Sequence, residues 1–339
     1  MKIVVDNKIP YIREAVGQIA DEVVYLPGNS FTAGDVRDAD ALVIRTRTRC
    51  DRELLEGSRV KFIATATIGF DHIDVDYCRE AGIAWQNCPG CNSGSVEQYL
   101  RSVLLLLKRR KGLKLEDACL GIVGAGHVGS RIHQMARSLG MRVLLNDPPR
   151  ADRGEEGFVD LSVLSRQCDV ITFHTPLNRT GRYNTFHLAD TEFFAGLQRM
   201  PFIVNTSRGE VVDTAALLDA LDKGMVGDAI IDTWENEPDI HRELLQRVFL
   251  GTPHIAGYSA DGKSNATRMA LEAICDFFHI QADFEIVPPD LPYAVYASDP
   301  EEAFLQVYDP TRDSDALKQH PEAFEQLRGD YPLRREIAF

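Results

Sequence analysis

Three side chains in this 339-residue sequence have types that together suit oxidation of an alcohol: Arg208 after FIVNTS, Glu237 after DAIIDTWEN and His254 in GTPHIAG. Hydride transfer from a secondary alcohol needs a base for the hydroxyl proton, and imidazole suits that task because its unperturbed pKa lies near neutrality. A carboxylate paired with the imidazole orients it and favours the protonated form that follows transfer, which suits Glu237. A guanidinium binds a substrate carboxylate bidentately and polarises a developing carbonyl oxygen, which suits Arg208. Each residue also has an ordinary reading: a surface arginine, a solvated glutamate before proline, a structural loop histidine. Only together do they describe one reaction.

A hydride also needs an acceptor. LGIVGAGHVGSR places Gly124, Gly126 and Gly129 in GxGxxG spacing between an expected strand and an expected helix. In that context the first glycine permits the tight turn, the second lets the backbone approach a pyrophosphate, and the third allows close packing of helix on strand. The helix N-terminus presents N–H groups to the anion. Eighteen residues after Gly129, Asp147 supplies a carboxylate at the end of the next strand. It would accept hydrogen bonds from a ribose diol and repel a 2′-phosphate, which favours NAD over NADP. Arg150, three residues on, leaves NADP open.

Apolar runs at 3–5, 23–26, 41–44, 61–64 and 83–85, and again at 120–123, 142–145, 170–173, 202–205 and 228–231, predict two βα series. The expected fold is α/β, with two doubly wound parallel-sheet domains and a small C-terminal appendage. Residues 95–111 and 261–280 are helical in pattern, the second returning the chain to the first domain. The expected division is 1–94 with 258–284 for a substrate domain, 95–257 for a nucleotide domain and 285–339 for the appendage, which has a short amphipathic piece near 321–328.

A formal net charge of −14 repels phosphate backbones and argues against a nucleic-acid partner. The longest apolar run, Val103 to Leu107, is far below the roughly 20 residues of a membrane span. MKIVVDNKIPY lacks the apolar region of a secretory signal and suits a core strand of a cytoplasmic protein. Seven irregularly spaced cysteines fit a reducing compartment. Cys88 and Cys91 form a CPGC sequence with a redox or metal reading, but it sits in a Pro/Gly turn with no further ligands nearby, and no metal is expected.

GIVGAGHVGSR, Asp147, FHTPL, VNTSRGEVVD, DTWENEP and GTPHIAG, in this order, resemble the D-2-hydroxyacid dehydrogenase family, and the resemblance spans nearly the whole chain. It implies a flavodoxin-like substrate domain, a Rossmann NAD domain, NAD as cofactor and domain closure over the bound pair. Arg208, Glu237 and His254 would be catalytic. His127, Val128, Thr175, Thr206, Asp232 and Gly257 would join the three glycines and Asp147 in cofactor binding. Thr46 in VIRTRT, Thr67 in ATATIGFDHID and Tyr258 match substrate positions, with Thr46 standing where the family has Ser. NDPPRADRGEEGF, GTPHIAGYSADGK, VYDPTRDSDALK and YPLRRE most resemble the branch that oxidises 4-phospho-D-erythronate in vitamin B6 synthesis. The tail resembles that branch's dimerisation domain in shortened form, which implies a homodimer. For the phosphate, Arg45, Arg47 and Arg49 alternate, so an extended backbone would turn all three to one face as a cationic site. A strand edge with solvated charges is the other reading of Arg47 and Arg49. Alternatives are a family member acting on 3-phosphoglycerate or glycerate, and a binding protein that senses NAD without turnover.

Overall fold

The apolar runs form strands because they are short, rich in β-branched residues and bounded by turn or polar residues. In the computed structural model, which describes residues 1–336, they build two wholly parallel sheets. By packing, Met1–Asn92 and Ser259–Pro292 form one unit, and Ser93–Tyr258 with the tail from Tyr293 onward forms a second.

The first unit holds β1 (Lys2–Asp6), β2 (Glu22–Leu26), β3 (Ala41–Ile44), β4 (Phe62–Thr65) and β5 (Ala84–Gln86) in the order β2-β1-β3-β4-β5. This is the flavodoxin-like order. The period of two is visible in the packing. Ile3, Val5, Ala41 and Val43 face one apolar layer, with Ala270, Leu271 and Ile274 of the helix Ala260–Phe278, while Val4, Leu42, Ile44 and Ile63 face another. A sheet buried on both faces needs apolar residues at consecutive positions, which is why these strands appear as unbroken runs.

The second unit holds β6 (Cys119–Val123), β7 (Arg142–Asn146), β8 (Val170–Phe173), β9 (Phe202–Asn205), β10 (Asp228–Ile231) and β11 (Leu250–Gly251) in the order β11-β10-β9-β8-β6-β7. The chain reverses direction of travel between β6 and β8, the switch point at which such sheets bind ligands beyond their C-terminal ends. Outside β7 a single bridge, Leu145 with Phe158, stands in place of a further strand. Strand β11 was not expected from the sequence. It is two residues long, and its Gly251 pairs in register with Ile231.

The tail differs from the expected appendage. Chain up to Pro292 packs with the first unit, and from Tyr293 it packs with the second, through helices Pro300–Val307, Thr311–Gln319 and Phe324–Gly329. Leu317 and Phe324 are buried in the core of the second sheet. The end of the tail, 337–339, lies outside the described residues. Among the described residues no helix is long and apolar enough to cross a membrane.

Candidate active site

Gly124, Gly126 and Gly129 serve three different physical ends. Gly124 has φ +92°, and a Cβ there would lie 2.7 Å from the His174 carbonyl oxygen. A Cβ on Gly129 would lie 2.0 Å from the Gly124 carbonyl oxygen, so only glycine lets the helix His127–Ser138 close on the turn. A Cβ on Gly126 would meet nothing within 4 Å. Gly126 and His127 are exposed, Val128 is partly so, and no side chain caps this helix start, so its first N–H groups face open space. Asp147, beyond β7, accepts hydrogen bonds from the N–H groups of Ala125 (2.9 Å) and Arg150 (3.1 Å). Arg150 is held by Glu155 (2.6 Å) and the Ala125 carbonyl (2.7 Å), so its charge is already compensated by a carboxylate.

The next residues follow in strand order along the same C-terminal edge. Beyond β8, Thr175 has a buried hydroxyl oxygen with no hydrogen-bond partner among the described residues. Its neighbour His174 contacts the hydroxyls of Thr172 (2.8 Å) and Thr206 (3.3 Å), and burial lowers its pKa to about 3. An imidazole that is so weak a base is poorly suited to take up a proton.

Beyond β9, Asn205 fixes the turn that carries Arg208: its side-chain N–H donates to the Arg208 carbonyl (2.9 Å), and its Oδ1 accepts from the Ser207 hydroxyl (2.8 Å). The Arg208 guanidinium donates through Nη1 to the Ser207 carbonyl (2.8 Å), while Nε and Nη2 have no partner among the described residues. A Cβ on Gly209 would lie 1.9 Å from the Trp234 backbone, so the Arg208 turn packs directly on the loop leading to Glu237. In that loop Glu237 accepts the Trp234 N–H at Oε1 (2.9 Å) and contacts His254 Nδ1 through Oε2 (2.8 Å). Burial pushes the Glu237 carboxyl up, but the His254 hydrogen bond and charge, the Trp234 N–H and the Arg328 guanidinium together hold it below the usual glutamate value. A carboxylate only accepts, so Nδ1 carries a proton, and in the neutral ring the lone pair lies on Nε2.

His254 follows β11 with φ +56°, a left-handed conformation that costs a non-glycine residue about 1–2 kcal/mol. Its own N–H donates to the carbonyls of Asp232 (2.8 Å) and Thr252 (3.0 Å). The Asp232 carboxylate accepts from the Thr252 hydroxyl (2.6 Å) and from the N–H groups of Ile255 (2.8 Å) and Ala256 (2.9 Å). Burial raises its pKa in spite of the His254 charge and these bonds. Asp232 thus serves the histidine turn itself, a role the sequence did not suggest. Gly257 and Tyr258 end the turn, and the Tyr258 hydroxyl accepts from Arg328 Nε (3.0 Å).

In the first unit, Arg45 and Thr46 follow β3 and Thr67 follows its neighbour β4. The expected row of three arginines on an extended strand does not form. Strand β3 stops at Ile44, and the Thr48 N–H bonds the Arg45 carbonyl (3.1 Å), which closes a turn. Arg49 is exposed beside Asp51, and Arg45 is paired with buried Asp6 (3.0 and 3.3 Å). The turn leaves Thr46 exposed, whereas the Thr67 hydroxyl contacts Thr65 (2.6 Å) and donates to the Gly69 carbonyl (2.9 Å). Lys263, a cation not singled out in the sequence, has its pKa lowered by burial and by the nearby Arg45 charge. Cys88 and Cys91 are buried, and burial pushes the Cys88 thiol up to about 12, so it stays protonated. Among the described residues no group of three or more His, Cys, Asp or Glu could hold a metal ion.

The stretch of chain that builds the second sheet matches a known family. The family model described as "D-isomer specific 2-hydroxyacid dehydrogenase, NAD binding domain" matches residues 96–256. The chain is 62% identical over 342 residues to the erythronate-4-phosphate dehydrogenase of Bacteroides fragilis, covering 99% of this chain and 97% of the relative. It is 59% identical to the enzyme of that name in Bacteroides thetaiotaomicron, with the same coverage. The chain belongs to the D-isomer specific 2-hydroxyacid dehydrogenase family. Among solved structures, NAD+-bound 3-phosphoglycerate dehydrogenase of Entamoeba histolytica is 29% identical, with a TM-score of 0.67, covering 82% of this chain and 95% of that one.

Two observations fit the NAD of this dehydrogenase family: the open space over Gly126 at an uncapped helix start, and the orphaned hydroxyl of Thr175 beside the same turn. Asp147→Ala removes a carboxylate while leaving Arg150 in place. The expected result is a KM for NAD raised about 10–100-fold, the scale of a charge-assisted hydrogen bond, with a smaller change for NADP. Comparing kcat/KM for the two cofactors tests it, and an unaltered preference would remove Asp147 from the ribose site.

Proposed function

We propose that the chain oxidises the C2 hydroxyl of 4-phospho-D-erythronate to (R)-3-hydroxy-2-oxo-4-phosphonooxybutanoate, with NAD taking the hydride, in pyridoxal 5′-phosphate synthesis. The observation that carries the chemistry is the 2.8 Å contact between His254 Nδ1 and Glu237 Oε2, which leaves Nε2 as the base. The substrate rests on the activity named for the Bacteroides relatives.

Neutral His254 accepts the C2 hydroxyl proton at Nε2, and the Glu237 carboxylate stabilises the imidazolium that results. Arg208 offers its free Nε and Nη2 donors to the substrate carboxylate and to the oxygen that becomes the carbonyl. NAD, when bound, supplies the electrophilic nicotinamide carbon that accepts the hydride from C2. Gly124, Gly126, His127, Val128, Gly129, Asp147, Thr175, Thr206, Asp232 and Gly257 form the cofactor side of the reading. Arg45, Thr46, Thr67 and Tyr258 form its substrate side. Arg45 keeps donors beyond those on Asp6, and Lys263 adds positive charge near it, which suits a phosphate. A homodimer, through the tail's likeness to the family's dimerisation segment, and a reducing, cytoplasmic setting for seven buried free thiols complete the proposal.

Initial rates of NADH formation at saturating NAD, compared across 4-phospho-D-erythronate, 3-phosphoglycerate, D-glycerate and D-lactate, test it. The four-carbon phosphate is expected to exceed the unphosphorylated acids in kcat/KM by about 10–100-fold, the scale of one arginine–phosphate contact. Preference for another acid would keep the chemistry and overturn the substrate. No NADH from any of them would favour the NAD-sensing reading instead.

A further inference from the structure

The backbone that follows His254 is gripped from both sides. Its N–H groups at Ile255 and Ala256 point to Asp232, and its carbonyls at the same two residues accept from Arg334, Nη1 to Ile255 at 3.1 Å and Nη2 to Ala256 at 3.2 Å. In the peptide joining Ile255 to Ala256, the carbonyl meets the guanidinium and the N–H meets the carboxylate. Since these groups point in opposite directions across a trans peptide, that unit's dipole is aligned between a buried anion and a buried cation.

Arg334 is only 3% exposed and makes no ion pair among the described residues, although the buried Asp313 carboxyl lies close enough to feel its charge. Its charge is dispersed over neutral groups: Gln98 Oε1 at 2.8 Å, the Ser95 carbonyl, the two turn carbonyls and the Tyr308 ring, whose centroid lies 3.8 Å from Cζ. Gln98 in turn donates to the Arg335 carbonyl (2.7 Å), and the Ser95 hydroxyl donates to Glu336 (2.7 Å), which ties the tail to the helix Ser93–Lys111. A buried guanidinium without a facing carboxylate is a costly way to anchor a tail, and an apolar residue would do so at lower cost. What an apolar residue cannot do is hold two adjacent carbonyls with a planar fork of donors.

We propose that Arg334 is a positioning residue for the dehydrogenase reaction, acting through the 255–256 backbone to keep His254 in its left-handed conformation with Nδ1 on Glu237. The C-terminal tail is then part of the catalytic apparatus, in addition to any role in subunit pairing. This rests on His254 being the base of the proposed function.

The test uses full-length Arg334→Ala and Arg334→Lys with NAD. Arg334→Ala is expected to lower kcat about 10–100-fold, the effect of misplacing a catalytic group by about an ångström, with substrate KM and NADH binding by fluorescence nearly unchanged. Millimolar guanidinium should restore part of that kcat in Arg334→Ala and none in His254→Gln. Arg334→Lys, which keeps the charge and loses the fork, should fall between wild type and Arg334→Ala. The hydrogen-bonded Nδ1 proton of His254, assigned by its loss in His254→Gln, should shift or broaden in both variants in the proton NMR spectrum. An unchanged resonance, an unchanged kcat, or parallel losses in kcat and NADH binding without guanidinium rescue would overturn the proposal. If Arg334→Ala does not fold, Arg334→Lys and its resonance decide. Absence of wild-type turnover would instead overturn the enzyme reading, and the resonance would still report whether Arg334 positions the imidazole.

Discussion

His254→Gln is expected to lower kcat for 2-hydroxy acid oxidation by about 10²–10⁴-fold, the usual contribution of a positioned general base. Gln keeps a polar side chain of similar length beside Glu237, whose Oε2 lies 2.8 Å from His254 Nδ1, but it offers no atom that takes up a proton. Binding of NADH, followed by its fluorescence, should be retained because the glycine turn lies at β6 and β7, on the far side of the sheet order from β11. The pH dependence carries the sign of the mechanism. For oxidation the imidazole must begin neutral, so wild-type kcat/KM should fall as pH falls and the His254–Glu237 pair takes up a proton. That limb should vanish in the variant. Glu237→Gln should remove most of the same rate, and the double variant little more, because the two act as a unit. Retention of more than about a tenth of wild-type kcat, or an acid limb unmoved in His254→Gln, would reject His254 as the base.

The strands and the glycine turn were legible because their determinants are local. Ten runs of apolar residues become ten strands displaced by one residue at most, and two of the constraints behind GxGxxG, the positive φ of Gly124 and the contact of Gly129 with the Gly124 carbonyl, act within six residues. Strand β11 escaped because two residues carry no period, and Leu250 and Gly251 are strand only through pairing with Ile230 and Ile231. The alternation Arg45, Arg47, Arg49 misled for the converse reason: period two has meaning only while the backbone stays extended, and the hydrogen bond from Thr48 to Arg45 ends that condition. The side chains proposed as catalytic stand in motifs that the sequence shows in order. The groups that hold them do not, because a contact such as Arg334 to Ile255, 79 positions apart in sequence, leaves no periodic trace. Asp232 was expected in cofactor binding, and its carboxylate oxygens also bond the residues that shape the histidine turn, contacts that no motif records.

Arg208→Gln is expected to lower kcat/KM by about 10²–10³-fold, the range for loss of one strong donor to a developing oxyanion. The cause is a division of labour within one guanidinium. Nη1 is bound to the Ser207 carbonyl and fixes the side chain on its own turn, and Asn205 fixes that turn in place. Nε and Nη2 are left as a planar pair of donors at the edge of β9, between the Glu237 loop of β10 and Thr175 beyond β8. Two jobs are open to that pair: binding the substrate carboxylate, which affects ground state and transition state alike, and stabilising the oxygen as it becomes a carbonyl, which affects the transition state more. The first appears as a raised KM, the second as a lowered kcat. Arg208→Lys separates them, because lysine keeps the charge without the fork and should recover more of KM than of kcat. Loss confined to KM in both variants would make Arg208 a substrate anchor alone. Losses in kcat that vanish when a 2-oxo acid is reduced with NADH would contradict microscopic reversibility and point to product release as the step affected.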